Sequence, residues 1–324
     1  MKVLVIGGAG YIGSHVVKAM LKAGHEVTVF DNMTSGKLSN LFKSAQFIAG
    51  DTRHKDDVDS AFARGFDSCV YLAAFKAVGE SMEKPEKYSS NNICATINIL
   101  NACVKYNCNY FVFSSSATVY GVPQYLPMDE KHPTVPDNYY GFTKLKIEEF
   151  LSWYDKLKGL KFASLRYFNA TGYDVEGEIT GLETNPQNLL PVIMEVALKM
   201  RHELKIFGND YPTKDGTCIR DYVHVCDLAL AHVNALKYLE SNKKSITLNL
   251  GTGEGHSVLE ILETARKIIG KEIPSSFVAR RKGDIPCYYA CSKLATKTIG
   301  WKPKYSSIET IISSTWNVYS KLKV

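Results

Sequence analysis

The opening run MKVLVIGGAGYIGSHVV limits the fold more than any other stretch of the chain. A β-prone segment, residues 2–6, stops at glycines spaced Gly7-x-x-Gly10-x-x-Gly13, and a helical pattern follows at once through His15, Val16 and Val17. Strand, glycine turn and helix form the first unit of a parallel sheet. The glycines allow the tight turn, let backbone approach a pyrophosphate, and leave the positive end of the helix facing it. The next strand, EVTVF (26–30), ends at Asp31, 24 residues beyond Gly7. An acid there accepts from the adenosine ribose hydroxyls and repels a 2′-phosphate, so NAD is expected over NADP, with Asn32 beside it leaving that preference unchanged. Asp51 closes a third strand, QFIAGD, and reads either as a partner of the adenine amino group or as the N-cap of the next helix.

The rhythm continues. SCVYLAA (68–74), NYFVFSS (109–115) and KFASLRYF (161–168) read as strands separated by helical stretches. The expected fold is therefore α/β, a doubly wound parallel sheet of Rossmann-like type, with a second, smaller, mixed α/β lobe for substrate. After Asn169 the pattern breaks into GYDVEGEITGLETNPQNLLP, before a helix near 189–201. Residues 1–170 are read as the dinucleotide-binding domain. A segment of about 217–255, with strand-like ITLNL (246–250), returns to its sheet, while about 171–216 and 256–324 form the smaller lobe. The 324 residues suffice for this division.

Other classes fall away. The net charge is +6, but basic and acidic residues are interleaved, which speaks against a nucleic-acid partner. No apolar run approaches the roughly 18 residues of a membrane span. The eight cysteines lack Cys-x-x-Cys pairs or zinc-like clustering, so no metal is expected, and free thiols with no leader suggest the cytoplasm.

Residues 137–144, DNYYGFTK, place Tyr140 and Lys144 four apart on one helical face, in line with Ile147 and Leu151, if Asp137 or Asn138 caps the helix. Tyr139 has no lysine at that spacing. A tyrosine acting as base near neutral pH needs its pKa of about 10 lowered, and an ammonium one turn away favours the phenolate. Upstream, FSSSATVYG (113–121) ends a sheet strand where side chains face the ligand crevice. Ser114 and Ser116 share a side of that strand, so position alone does not choose between them.

These motifs resemble the extended short-chain dehydrogenase/reductase family. KAVGES (76–81), SSSATVYG (114–121), LRYFNATG (165–172), IFGNDYPTKDGT (206–217) and IRDYVHV (219–225) are similar, more narrowly, to its sugar-nucleotide 4-epimerases. The resemblance implies an NAD-dependent enzyme that interconverts UDP-glucose and UDP-galactose. The sugar is oxidised at C4 with tightly bound NAD, and the 4-keto intermediate rotates before the hydride returns. Ser116, Tyr140 and Lys144 are implied as catalytic. Cofactor contacts are implied for Gly7, Gly10, Tyr11, Ile12, Gly13, Asp31, Asn32, Asp51, Thr52, Phe75, Lys76, Asn91, Ser114, Tyr140, Lys144 and Phe168. The UDP-sugar falls to Asn169, Asn188, Leu189, Arg220, Arg281, Asp284 and Tyr288, together with Lys76, Ser116 and Tyr140. Asn188 and Asp284 also read as cap and turn residues.

Two features depart from the expected pattern: Ser116 and Tyr140 stand one residue closer than usual, and Cys218 replaces a small residue. A dehydratase of this family would carry an acidic pair where Ala117 and Thr118 stand. Bulky Tyr288 at the hexose pocket implies a preference against N-acetylated sugars, with Tyr289 the alternative if the register differs by one. An epimerase of broader range, acting on UDP-N-acetylhexosamine or UDP-pentose, is the second reading, and a non-enzymatic nucleotide sensor a distant third. By the same resemblance the helical stretches 86–106 and 139–157 form the contact of a homodimer.

Overall fold

A computed structural model describes residues 1–281 and 283–322; residues 282, 323 and 324 of the expected smaller lobe lie outside it. Strands β1 (Lys2–Ile6), β2 (Glu26–Asp31), β3 (Gln46–Ala49), β4 (Ser68–Tyr71), β5 (Tyr110–Ser116) and β6 (Lys161–Tyr167) join the strand Ile246–Leu250 in one parallel sheet. Its order is Ile246–Leu250, β6, β5, β4, β1, β2, β3. The chain runs outward from β1 through β2 and β3, then returns to the other side of β1 at β4. At that reversal the connecting segments leave in opposite directions, and a crevice opens beyond the carboxyl ends of the strands.

The sheet forms because its central strands are apolar on both faces, as buried parallel strands must be. In β1, Val3 and Val5 point to one side, where they join Val17, Val29, Leu228 and Leu236, while Leu4 and Ile6 point to the other, with Phe30, Ile99, Phe111 and Leu151. β4 ends at Tyr71 rather than residue 74. Its last rung is the Leu72 N–H on the Ile6 carbonyl, 2.9 Å, and beyond it the partner chain turns away at Gly7.

The smaller lobe has its own core, in which Leu190, Ile193 and Met194 of helix Leu189–Ala197 meet Ile261 and Leu262 of helix Val258–Ile269 and Ile311 and Ile312 of helix Ile308–Tyr319. A parallel pair, Leu204–Phe207 with Ser275–Val278, completes it. The helix expected to reach residue 201 stops at Ala197, where Lys199 turns to a φ of 62°. Helix Val225–Asn242 and the strand after it do return to the large sheet. Residues 290–301 go with them: Ala290, Ala295, Ile299 and Trp301 sit in the first domain's core, and the Trp301 indole N–H donates to the Asp227 carbonyl at 2.8 Å. The stretch lies within the 256–324 expected in the smaller lobe, but its local sequence carries no sign of a pairing this distant. Among the described residues no helix is long and apolar enough to cross a membrane.

Candidate active site

The glycine turn has room for nothing but glycine at two points. A Cβ on Gly13 would collide with the Gly7 carbonyl, and Gly7, at a φ of 82°, would put one 2.7 Å from the Ala73 amide. Helix Tyr11–Lys22 starts at Gly10 with no side-chain cap and no acid in its first turn, so its leading N–H groups and the positive end of its dipole face the crevice. Ile12 is half-buried beside them. This shape and polarity fit a dinucleotide pyrophosphate.

Asp31 ends β2 and accepts from the Ala9 N–H at 3.0 Å and the Met33 N–H at 2.9 Å. It therefore fastens the glycine turn. Burial raises its carboxyl above the usual range, and the two N–H donors pull the other way. Asp51 does not cap the next helix, which starts at His54 without a side-chain cap. Instead it pairs with Arg53 at 2.6 Å and accepts from Asn32 at 3.0 Å, and the guanidinium holds its carboxyl well below the usual range. Thr52 is buried, with its carbonyl accepting from Asn98 at 3.1 Å.

The two neighbouring tyrosines do different work. Asn138, not Asp137, caps helix Tyr139–Lys158, its side chain accepting from Gly141 N–H at 2.8 Å. Tyr139 ties that helix to the turn below through Ser89, 2.6 Å, and stacks on Phe142. Tyr140 points instead toward the serine strand, its own N–H held by Ser81 Oγ at 3.1 Å. Gly141 makes the approach possible, since a Cβ there would lie 2.5 Å from the Thr118 carbonyl. Lys144 is 2% exposed and donates to the Ser114 carbonyl at 2.7 Å, with its ammonium 5.8 Å from the Tyr140 ring centre and 4.8 Å from that of Phe113.

Ser116 is the last residue of β5, and its oxygen accepts from Thr118 Oγ1 at 2.9 Å and Thr118 N–H at 3.3 Å. Its own hydrogen is left to donate into the crevice. Burial pushes the Tyr140 phenol up to about 12, with the Ser116 hydroxyl beside it acting in the opposite sense. Burial brings Lys144 down to about 7 against the pull of Glu148. Each charge alone is opposed, whereas phenolate and ammonium formed together stabilise one another.

The residues expected to hold the UDP-sugar come from several separate segments of the chain. Arg220 Nη1 donates to the Ile219 and Ile285 carbonyls at 2.9 and 2.6 Å, and Nη2 stands 3.8 Å from Asp284. Arg281 reaches the same carboxylate at 3.1 Å and lies over Phe207. Asp284 thus sits between two arginines, its N–H closing a turn on the Arg281 carbonyl. Asn188 occupies the N-cap position of helix Leu189–Ala197, yet its side chain makes no cap bond there and is exposed, and Leu189 follows it half-buried. Tyr288, not Tyr289, reaches the catalytic wall: its hydroxyl donates to the Ala117 carbonyl at 2.6 Å and its ring leans on Phe168. Asn169, exposed, is fixed by its N–H on the Asp221 carbonyl at 2.9 Å. Two implied contacts point elsewhere: Lys76 is bonded to Glu183, and the Tyr11 hydroxyl to the Gly172 carbonyl.

Several residues that shape the site escaped the sequence reading. Asn92, fully buried, accepts from Phe75 N–H at 3.0 Å, donates to the Phe75 carbonyl at 3.1 Å and accepts from Asn91 Nδ2 at 3.1 Å. It lies in a π-helical turn, Ser89–Cys94, of the kind that marks functional sites. Glu148 accepts from the Ser115 hydroxyl at 2.5 Å and forms a bidentate pair with Arg166 at 3.0 and 2.6 Å. Of these contacts the sequence carries only the spacing of Lys144 and Glu148, one helical turn.

The chain is similar to known proteins along nearly its whole length. The model of the NAD dependent epimerase/dehydratase family matches residues 3–251. A UDP-glucose 4-epimerase of Lacticaseibacillus casei is 46% identical over 319 residues, 98% of this chain and 96% of the relative. The crystal structure of UDP-glucose 4-epimerase from Brucella ovis in complex with NAD superposes with a TM-score of 0.95 at 39% identity, covering 98% of each chain. A UDP-glucose-4-epimerase from Stenotrophomonas maltophila, solved with bound NAD and formylated UDP-arabinopyranose, has the same TM-score at 38% identity over 99% of this chain and 98% of its own.

Proposed function

This chain belongs to the NAD dependent epimerase/dehydratase family, and from that premise we propose that it interconverts UDP-glucose and UDP-galactose at sugar C4. The observation that carries the reading is the Tyr140, Ser116 and Lys144 group at the same carboxyl edge of the sheet as a glycine turn shaped for a dinucleotide. NAD, when bound, supplies the hydride acceptor at C4 and returns the hydride to the keto carbon.

The chain's own residues do the rest. The Gly7 to Gly13 turn and the helix after it would hold the pyrophosphate of NAD, Asp31 its adenosine ribose and Lys144 its nicotinamide ribose. Tyr140 takes the 4-hydroxyl proton, and Ser116 hydrogen-bonds that oxygen. The keto sugar turns and presents its other face, after which Tyr140 gives the proton back. The hexose must therefore be held loosely and the nucleotide firmly. Arg220 and Arg281 suit the firm end because guanidinium groups grip phosphate oxygens in pairs. UDP-galactose alone, added to purified protein without free cofactor, is expected to yield UDP-glucose. No conversion by protein carrying one NAD per chain would remove the reading.

Tyr288 narrows the substrate range: its tethered ring fills space that an N-acetyl group would need. Tyr288→Cys is expected to raise turnover of UDP-N-acetylglucosamine relative to UDP-glucose by about tenfold; product ratios from a mixed-substrate assay check this. The same reading makes the protein a cytoplasmic homodimer. Its eight cysteines are all unpaired, which suits a reducing compartment. Trp153 and Leu157, 56% and 65% exposed, present an apolar face on helix Tyr139–Lys158 that a second copy would cover, and sedimentation in solution tests it.

A further inference from the structure

We propose that Glu148 is a positioning residue for the epimerisation chemistry: it clamps the serine strand to the tyrosine helix and holds the Lys144 ammonium in register between them. The inference rests on the reading of Tyr140 as base. The catalytic group comes from two elements, β5 with Ser116 and helix Tyr139–Lys158 with Tyr140 and Lys144, and a side chain that bonds both sets their spacing. Glu148 is such a side chain. It lies one turn after Lys144 on the buried face of the helix, and it accepts from Ser115, the middle serine, whose side chain points away from Ser114 and Ser116.

Arg166 of β6 holds Glu148 from behind with two bonds and passes the contact to the Tyr120 hydroxyl at 2.8 Å, which donates to Asn249 at 2.6 Å. Three sheet strands and the turn after Ser116 are thereby joined through one carboxylate. The whole chain of groups is buried, where each bond is stronger and each unpaired member costlier than in water.

The charges around Lys144 give this arrangement a second effect. On its own helix Lys144 has Tyr140 one turn before it and Glu148 one turn after; from β5 come the Ser114 carbonyl and the Phe113 ring, and from β6 Arg166 reaches it only through Glu148. Glu148 is the only carboxylate in this set. Its negative charge favours protonated Lys144, and protonated Lys144 favours the Tyr140 phenolate.

The test compares Glu148→Gln, Ser115→Ala and Tyr140→Phe with the parent enzyme at matched NAD content, measuring kcat, KM and the pH profile of kcat. Glu148→Gln is expected to lower kcat by about 10- to 100-fold while KM for UDP-galactose moves less than about twofold. Its alkaline limb should move about one pH unit lower, because Lys144 loses its proton more readily. Ser115→Ala should lower kcat less and leave that limb in place, since the carboxylate remains. Folded, NAD-loaded Glu148→Gln with parental kcat and a parental alkaline limb overturns the inference. Should Glu148→Gln fail to fold, Ser115→Ala decides, and an undiminished kcat there overturns it equally. Tyr140→Phe separates the two levels: if it stays active, the reading of the site fails, whereas if it is inactive and Glu148→Gln is parental, only the role of Glu148 fails.

Discussion

The two walls of the crevice hold their charges in opposite ways. On the wall of β5 and helix Tyr139–Lys158, Lys144 and the Arg166–Glu148 pair are buried and hydrogen-bonded to backbone or to each other, and burial opposes the charged forms of Tyr140 and Lys144. On the wall of the smaller lobe, Arg281 is 58% exposed and shares Asp284 with the better shielded Arg220 at 3.8 Å. Buried charges fix geometry and titrate abnormally. Exposed ones act at longer range, are screened by salt, and adapt to a ligand. A reaction that must hold the reacting oxygen closely while letting a hexose turn over has use for both kinds of wall.

The comparison breaks first at Tyr140. Tyr140→Phe keeps the ring and removes the proton acceptor, so kcat is expected to fall about 10³-fold with little change in KM, measured with UDP-galactose. A loss that fell mainly on KM would mean that the buried wall binds rather than reacts. Next comes the titration of Lys144. Its folded value of about 7 lies below the ordinary lysine value, so across the gap the unfolded chain binds a proton that the native one lacks. Stability of the cofactor-free protein must then rise with pH, by about 2 kcal/mol from about pH 7 to 9, and Lys144→Met should flatten that slope in denaturant titrations. Tyr140, raised to about 12, alters the balance only above the range tested.

On the other wall, Arg220→Leu is expected to raise KM for UDP-galactose by about tenfold and leave kcat within about threefold, by initial-rate kinetics. Arg281→Ala, at the exposed end, should raise KM only about threefold, and the difference should fade in about 0.5 M salt. Equal and salt-insensitive effects at the two arginines would remove the distinction between shielded and screened charge.

What could be foreseen from the chain was what short-range periodicity encodes. Gly7, Gly10 and Gly13 lie within one turn, Asp31 lies at the end of the next strand, and Tyr140, Lys144, Ile147 and Leu151 follow the helical repeat. The parallel pairing of Cys287–Tyr288 with Ile219–Arg220, which brings Tyr288 beside Arg220, and the docking of Trp301 on Asp227 across 74 positions, leave no local trace. The brace through Ser115, Glu148 and Arg166 lies between these cases: its bonds span 33 and 18 positions, and each residue alone is unremarkable in its strand or helix. Asn92 was hidden for another reason. A π-turn adds a residue to the helical repeat, so the phase that would have revealed an inward asparagine is lost there.

The missing side chain at position 13 has a consequence for anyone who would redesign this enzyme. Because even a methyl group there would run into the carbonyl of Gly7, no rearrangement of neighbouring rotamers can make room; the obstruction is main chain on main chain. In a library that randomised residues 7–13, surviving clones should converge on one letter at that site while Ile12 drifts, so tolerance at this entrance is governed by empty volume more than by chemistry.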